Sequence, residues 1–113
     1  MTSTDPTCSI IIPAYIPKAE QGAMALAALL RCVRGFIATL PSPEWVEIIV
    51  QDDASPGIDS LAGVVPGICQ VVRNPQNLGF AGNCNAAAAR SRGAYLFFAN
   101  QDIMPLGPWY EPI

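Results

Sequence analysis

The chain has 113 residues, 51% hydrophobic and 13% charged, with a formal net charge of −3 at pH 7. Residues 1–113 therefore suit one small domain with a real core, short for a complete α/β enzyme. The six basic residues are scattered and histidine is absent, which excludes a nucleic-acid-binding surface of clustered Lys and Arg and any histidine-containing zinc site.

In chain order, Met1 to Thr7 are polar and lack the basic region and apolar run of a secretory signal. The apolar run Cys8 to Ile12 predicts a first strand. Lys18 to Thr39 places Met24, Leu26, Leu29, Leu30, Val33 and Ile37 at helical spacing and predicts one long helix. Val46 to Val50 reads as a second strand, and Ile58 to Val64 as a helical turn or two. Cys69 to Val72 reads as a third strand and Gly82 to Ser91 as a third helix, with Ala86 to Ala89 as a close-packing face. Tyr95 to Ala99 completes the set as a fourth strand, and Pro41, Pro43, Pro56, Pro66, Gly67 and Pro75 punctuate the loops.

No apolar stretch reaches the roughly 20 residues needed to span a bilayer as a helix, so a soluble protein is expected. Phe36, Trp45, Trp109 and Tyr110 are available to touch another domain or a membrane surface. Cys8, Cys32, Cys69 and Cys84 lie far apart among apolar neighbours with no CxxC pair, which predicts buried, reduced thiols in a cytosolic protein.

Strands with continuous rather than alternating apolar residues are buried on both faces, as in a parallel sheet covered by helices. The order β-α-β-α-β-α-β therefore predicts an α/β fold. With right-handed crossovers, and the fourth strand returning beside the first, the sheet order is 3-2-1-4 and a crevice opens above strands one and four. Pro13-Ala14-Tyr15, Asp52-Asp53, Arg73-Asn74 and Asn100-Gln101-Asp102 then gather on one rim.

Each of these has a plainer reading: Asp52, Asp53 or Asp102 as a cap or turn former, and Asn77-Leu78-Gly79 as a turn. Their convergence on one rim favours a ligand. A carboxylate after strand two accepts from a base N–H or a ribose hydroxyl, while Pro13 and Tyr15 frame a planar base. Asp102 offers hard oxygen to a divalent metal, which would neutralise a diphosphate and make it a leaving group.

Ser9 to Tyr15, Glu47 to Ser55, Asn77 to Asn83 and Asn100-Gln101-Asp102 together resemble family 2 glycosyltransferases of the GT-A fold, with a rhamnosyltransferase-like flavour. The resemblance covers Cys8 to Pro105. It implies a three-layer α/β/α, Rossmann-like, nucleotide-diphospho-sugar transferase fold and inverting transfer from a UDP-sugar or dTDP-sugar to a glycan, lipid or protein acceptor. Pro13, Ala14 and Tyr15 would match the base and ribose loop, and Asp52 with Asp53 the nucleoside-binding acidic motif. Asn77, Gly79 and Gly82 would face the donor. Asp102 would hold Mg²⁺ or Mn²⁺, with Asn100 where many members carry a first aspartate, so the metal affinity would be weaker.

Family members continue past this motif into an acceptor-binding half with a catalytic carboxylate. This chain is accordingly expected to be a truncated, donor-binding part, with no catalytic residue assigned; Glu111 has no inferred support as a general base. Uncovered sheet edges and the Trp109-Tyr110 region predict a homodimer. The expected location is cytoplasmic, at the inner face of the membrane for the full-length protein, in cell-surface polysaccharide biosynthesis. A receiver-type phosphoacceptor domain needs its acidic pair after strand one and a late lysine, whereas the one lysine is Lys18. A sugar nucleotidyltransferase needs a glycine-rich basic loop after strand one, and Ile12 to Lys18 holds no glycine. A non-catalytic nucleotide-sugar-binding or protein-interaction domain remains the competing expectation.

Overall fold

The computed structural model describes residues 5–40 and 45–105, so Pro41, Pro43, Trp109, Tyr110 and Glu111 lie outside the described residues. Its elements are β1 (Cys8–Ala14), α1 (Ala19–Thr39), β2 (Val46–Asp52), β3 (Gln70–Arg73), α2 (Gly79–Arg90) and β4 (Tyr95–Phe98). The four strands form one sheet in the order β3-β2-β1-β4. Every pairing is parallel, with β1 matched to β2 from Cys8↔Val46 to Ala14↔Asp52. The expected sheet order is therefore observed.

Strand side chains alternate between faces. Ile10, Ile12, Ile48 and Val50 join the cluster that contains Leu29, Cys32, Val33 and Phe36 of α1. Ile11 and Ile49 project the other way, onto Ala87 and Ala88 of α2. The result is three layers, with helices on both faces of the sheet. Each fully buried Ile or Leu contributes about 1.5–3 kcal/mol, and this double burial accounts for the continuous apolar runs of β1 and β2. β3 and β4, expected to be buried on both faces as well, are instead exposed or half-buried because they are the outer strands of the described sheet.

Two expectations about α1 need correction. Phe36 is not free to touch another domain: it is 1% exposed and packs edge-on against Phe97, with ring centroids 5.8 Å apart. Length and composition also make Ala19–Thr39 apolar enough to cross a membrane, contrary to the sequence expectation. Its apolar face is accounted for by the sheet, onto which Leu29, Cys32, Val33 and Phe36 pack.

The second crossover contains no regular helix at Ile58 to Val64, only turns. Leu61 and Val65 are buried in the α1-side core, so the segment covers the sheet without helical backbone. Arg73 provides the reason. Its guanidinium donates to the carbonyls of Ser55 at 2.9 Å, Ile58 at 3.0 Å and Asp59 at 3.3 Å, groups that a helix would otherwise pair internally.

At the amino ends of the strands, Glu47 is 8% exposed. Its carboxylate accepts from the Ser9 hydroxyl, from Gln70 Nε2 at 2.8 Å and from the Arg92 N–H at 2.6 Å. This knot fixes the α2–β4 connection against the sheet. Gly93 lies so close that a Cβ there would come within 2.6 Å of the Cys8 carbonyl carbon. All four cysteines are buried and free, as expected.

Candidate functional site

At the opposite, carboxyl-terminal end of the sheet is a crevice of about 400 Å³, lined by Pro13, Ala14, Tyr15, Asp53, Asn77, Gly79, Phe80, Asn83, Asn100, Gln101 and Asp102. It opens where the neighbours of β1 part, as parallel α/β sheets dictate. Of the residues singled out in the sequence, Pro13, Ala14, Tyr15, Asp53, Asn77, Gly79, Asn100 and Asp102 are brought together. Asp52 and Gly82 lie outside this lining.

The acidic pair is divided. Asp52 is fully buried, turned under the following loop, where it accepts from the Ser55 N–H at 3.0 Å and hydroxyl and pairs with Arg73 at 3.0 Å. The Ser55 hydroxyl in turn accepts from the Ile16 N–H at 2.8 Å. Asp52 thus ties the loop after β2 to the loop after β1.

Asp53 faces the crevice. Its Oδ1 accepts from the Leu78 N–H at 2.7 Å and Asn74 Nδ2 at 2.9 Å, and its Oδ2 from the Gly79 N–H at 3.0 Å. A side-chain carboxylate from the loop after β2 therefore caps α2 and complements its dipole. Gly79 has φ +78°, a left-handed conformation that glycine adopts without cost. Asn77 adds to the turn, accepting from the Gly79 N–H at 3.1 Å and donating to the Asp53 carbonyl at 3.2 Å. A carboxylate offers about four acceptor sites; three are occupied by described residues, and the fourth is on Oδ2.

Behind this cap lies a buried amide network. Asn74, 5% exposed, and Asn83, 2% exposed, bond to each other at 2.7 Å. Gln51 Nε2 donates to Asn74 Oδ1 at 2.8 Å, and Asn83 Nδ2 donates to the Gln51 carbonyl at 2.9 Å. The network holds α2 at a fixed height above β2. Asn83 and Phe80 were not singled out as ligand-facing from sequence, and Gln101 was placed on the rim without a role. For Asn83 the signal was present: four residues beyond Gly79 on a helix, it shares that residue's face.

The bank formed after β4 carries Asn100 and Asp102, both exposed. The Asp102 carboxylate has no hydrogen-bond or ion-pair partner among the described residues. Its charge reaches Cys32 of α1, whose thiol is pushed up to about 12, first by burial and then by Asp102. That thiol donates to the Asn100 carbonyl at 3.6 Å. Among the described residues no cluster of three metal-ligating side chains exists.

The family is decided by comparison. The family model for glycosyl transferase family 2 matches residues 9–113. The chain belongs to glycosyl transferase family 2. Among solved structures, this family 2 chain is similar to S. aureus TarS, residues 1–349, with a TM-score of 0.64 and 18% identity. The match covers 85% of this chain and 27% of the TarS chain, so the chain spans about a quarter of that relative's length. A comparison with curated protein sequences found no match. The α/β sheet of the family 2 chain, in the order β3-β2-β1-β4, is that of the GT-A fold. Its crevice sits where such a sheet presents a ligand site.

Proposed function

We propose that this family 2 chain binds a nucleoside diphosphate-sugar in the crevice as the donor of an inverting glycosyl transfer. One observation carries the reading. Among the described residues the crevice lining contains two carboxylates, Asp53 and Asp102, and no Lys or Arg. The α2 N–H groups of Leu78 and Gly79 are already engaged by Asp53. A diphosphate seated here would face uncompensated negative charge unless a cation entered with it.

The donor set fits such a cation. Asp102 supplies one exposed carboxylate with no partner among the described residues, and Asn100 supplies hard amide oxygen. Mg²⁺ is commonly held by one or two carboxylates plus substrate phosphates and water. Bound Mg²⁺ or Mn²⁺ would neutralise the diphosphate and stabilise it as a leaving group. Tyr15, Pro13 and the remaining Oδ2 site of Asp53 are assigned to the base and ribose of a UDP-sugar or dTDP-sugar. During transfer the bond from the sugar's anomeric carbon to the diphosphate oxygen breaks, a bond to an acceptor hydroxyl oxygen forms, and the acceptor proton passes to a base. With Asp53 and Asp102 committed, no other carboxylate lines the crevice among the described residues, so donor binding is the step that these residues carry. We place the protein in the cytoplasm, at the inner face of a membrane, acting in cell-surface polysaccharide synthesis; fractionation of the expressing cells tests that location.

Calorimetric titration with UDP, dTDP and GDP, each with and without Mn²⁺ or Mg²⁺, tests the site. The expected result is metal-dependent binding of at least one nucleotide, with Asp102→Ala losing the metal dependence. Binding that is equally strong in chelator, or absent for all three nucleotides, would overturn the reading.

A further inference from the structure

The sheet comes apart at the crevice. β1 and β4 stay in register from Cys8↔Tyr95 to Ile11↔Phe98, and a last bond from the Ala99 N–H to the Ile11 carbonyl, at 2.9 Å, closes that ladder. Beyond it β1 continues beside β2 as far as Ala14↔Asp52. The segment after β4 turns back, with the Ile103 N–H donating to the Asn100 carbonyl at 3.2 Å. Pro13 has no N–H with which to extend the pairing. Two banks therefore face each other without a backbone ladder.

One side chain spans the gap between the banks. Gln101 Oε1 accepts from the Tyr15 N–H at 2.7 Å, and Gln101 Nε2 donates to the Tyr15 carbonyl at 3.1 Å. A carboxamide offers a donor and an acceptor side by side, as a neighbouring strand would. Glutamate at neutral pH has only acceptors and lysine only donors.

Each bank is anchored from behind. The Tyr15 side is held by the Ile16 N–H on the Ser55 hydroxyl at 2.8 Å and by the Gly57 N–H on the Ile16 carbonyl at 2.9 Å. The opposite side is held to α1 through Cys32 and the Asn100 carbonyl. What these anchors leave open is the separation between the banks.

We propose that Gln101 is a positioning residue whose carboxamide replaces the missing strand ladder and fixes the Tyr15 bank against the Asn100 and Asp102 bank. The base-side and metal-side contacts of a ligand are then held at a set spacing before it arrives. The bridging itself is independent of what binds; only the ligand class rests on the donor-pocket reading above.

The test has two arms on the same chain. In the ligand-free protein, amide hydrogen exchange at Tyr15 is followed by NMR in Gln101→Met and Gln101→Glu. Exchange at Tyr15 should accelerate about tenfold in Gln101→Met, the loss of one hydrogen bond. It should stay slow in Gln101→Glu, whose carboxylate still accepts from that N–H. In the second arm, UDP is titrated in Mn²⁺, and Gln101→Met should bind about fivefold more weakly. Unaltered Tyr15 exchange in Gln101→Met overturns the bridge whatever the nucleotide result. Faster exchange with undiminished UDP affinity overturns the positioning role. An unsubstituted chain that binds no nucleotide overturns the donor-pocket reading, and the exchange arm alone then decides the bridge.

Discussion

Glu47 is a charged residue inside a strand of apolar neighbours, and its environment explains how it stays charged. Burial pushes its carboxyl up, yet the bonds from Ser9, the Arg92 N–H and Gln70, together with the Arg92 charge, outweigh that and leave it below the ordinary value. A carboxyl lowered on folding contributes stability that is fully present above its unfolded value, near 4.3, and is lost as pH falls through the folded value. Glu47→Gln should therefore be less stable than the unsubstituted chain at pH 7, with the gap narrowing as the pH falls below about 4. Thermal midpoints measured from pH 7 to pH 3 check this, and parallel curves would contradict it. In sequence Glu47 was legible only as part of a strand. Its partners Ser9, Gln70 and Arg92 come from three other places in the chain, so its role was not.

The carboxyl end of β2 shows how an element boundary depends on a distant residue. The sequence pattern places the start of the third helix at Gly82, whereas α2 begins at Gly79. Leu78, at its N-cap, makes no side-chain cap, and the carboxylate comes instead from Asp53, the first residue after β2. Losing an N-cap costs about 1–2 kcal/mol. Asp53→Ala should therefore lower stability by about that amount in urea denaturation and weaken nucleotide binding as well. Loss of binding at full stability would mean that the cap is not what Asp53 contributes. Arg73 acts in the same way on the second crossover, where its bonds to three loop carbonyls replace the helix that Ile58 to Val64 suggested.

For the whole molecule, the exposed surface is as informative as the core. β4 is an outer strand of the described sheet, and its Tyr95, Leu96 and Phe98 are 58%, 42% and 50% exposed. Parallel sheets are ordinarily covered on both faces, and an apolar outer strand invites pairing with another chain. Self-association through β4 is thus the expected behaviour of this chain. Sedimentation velocity should give a mass that rises with concentration, and Phe98→Lys should abolish the rise. A monomer at every concentration would overturn the expected homodimer.

The sequence alone determined the four strands, their parallel order and the rim on which polar residues gather. Continuous apolar runs, helical spacing and connection rules are local or combinatorial signals, and they need no knowledge of which atoms finally meet. Tertiary structure decided which polar groups remain for a ligand. Asp52 and Asp53 are adjacent and chemically identical, yet Asp52, the last residue of β2, is turned under a loop onto Arg73, and Asp53, the first residue beyond it, lines the crevice. Gln101 reads as the middle residue of a motif until the fold sets it against Tyr15, 86 positions earlier. Hydrogen-bond geometry is satisfied within tenths of an ångström, so such pairings depend on strand register and loop path, which residue patterns along the chain do not encode.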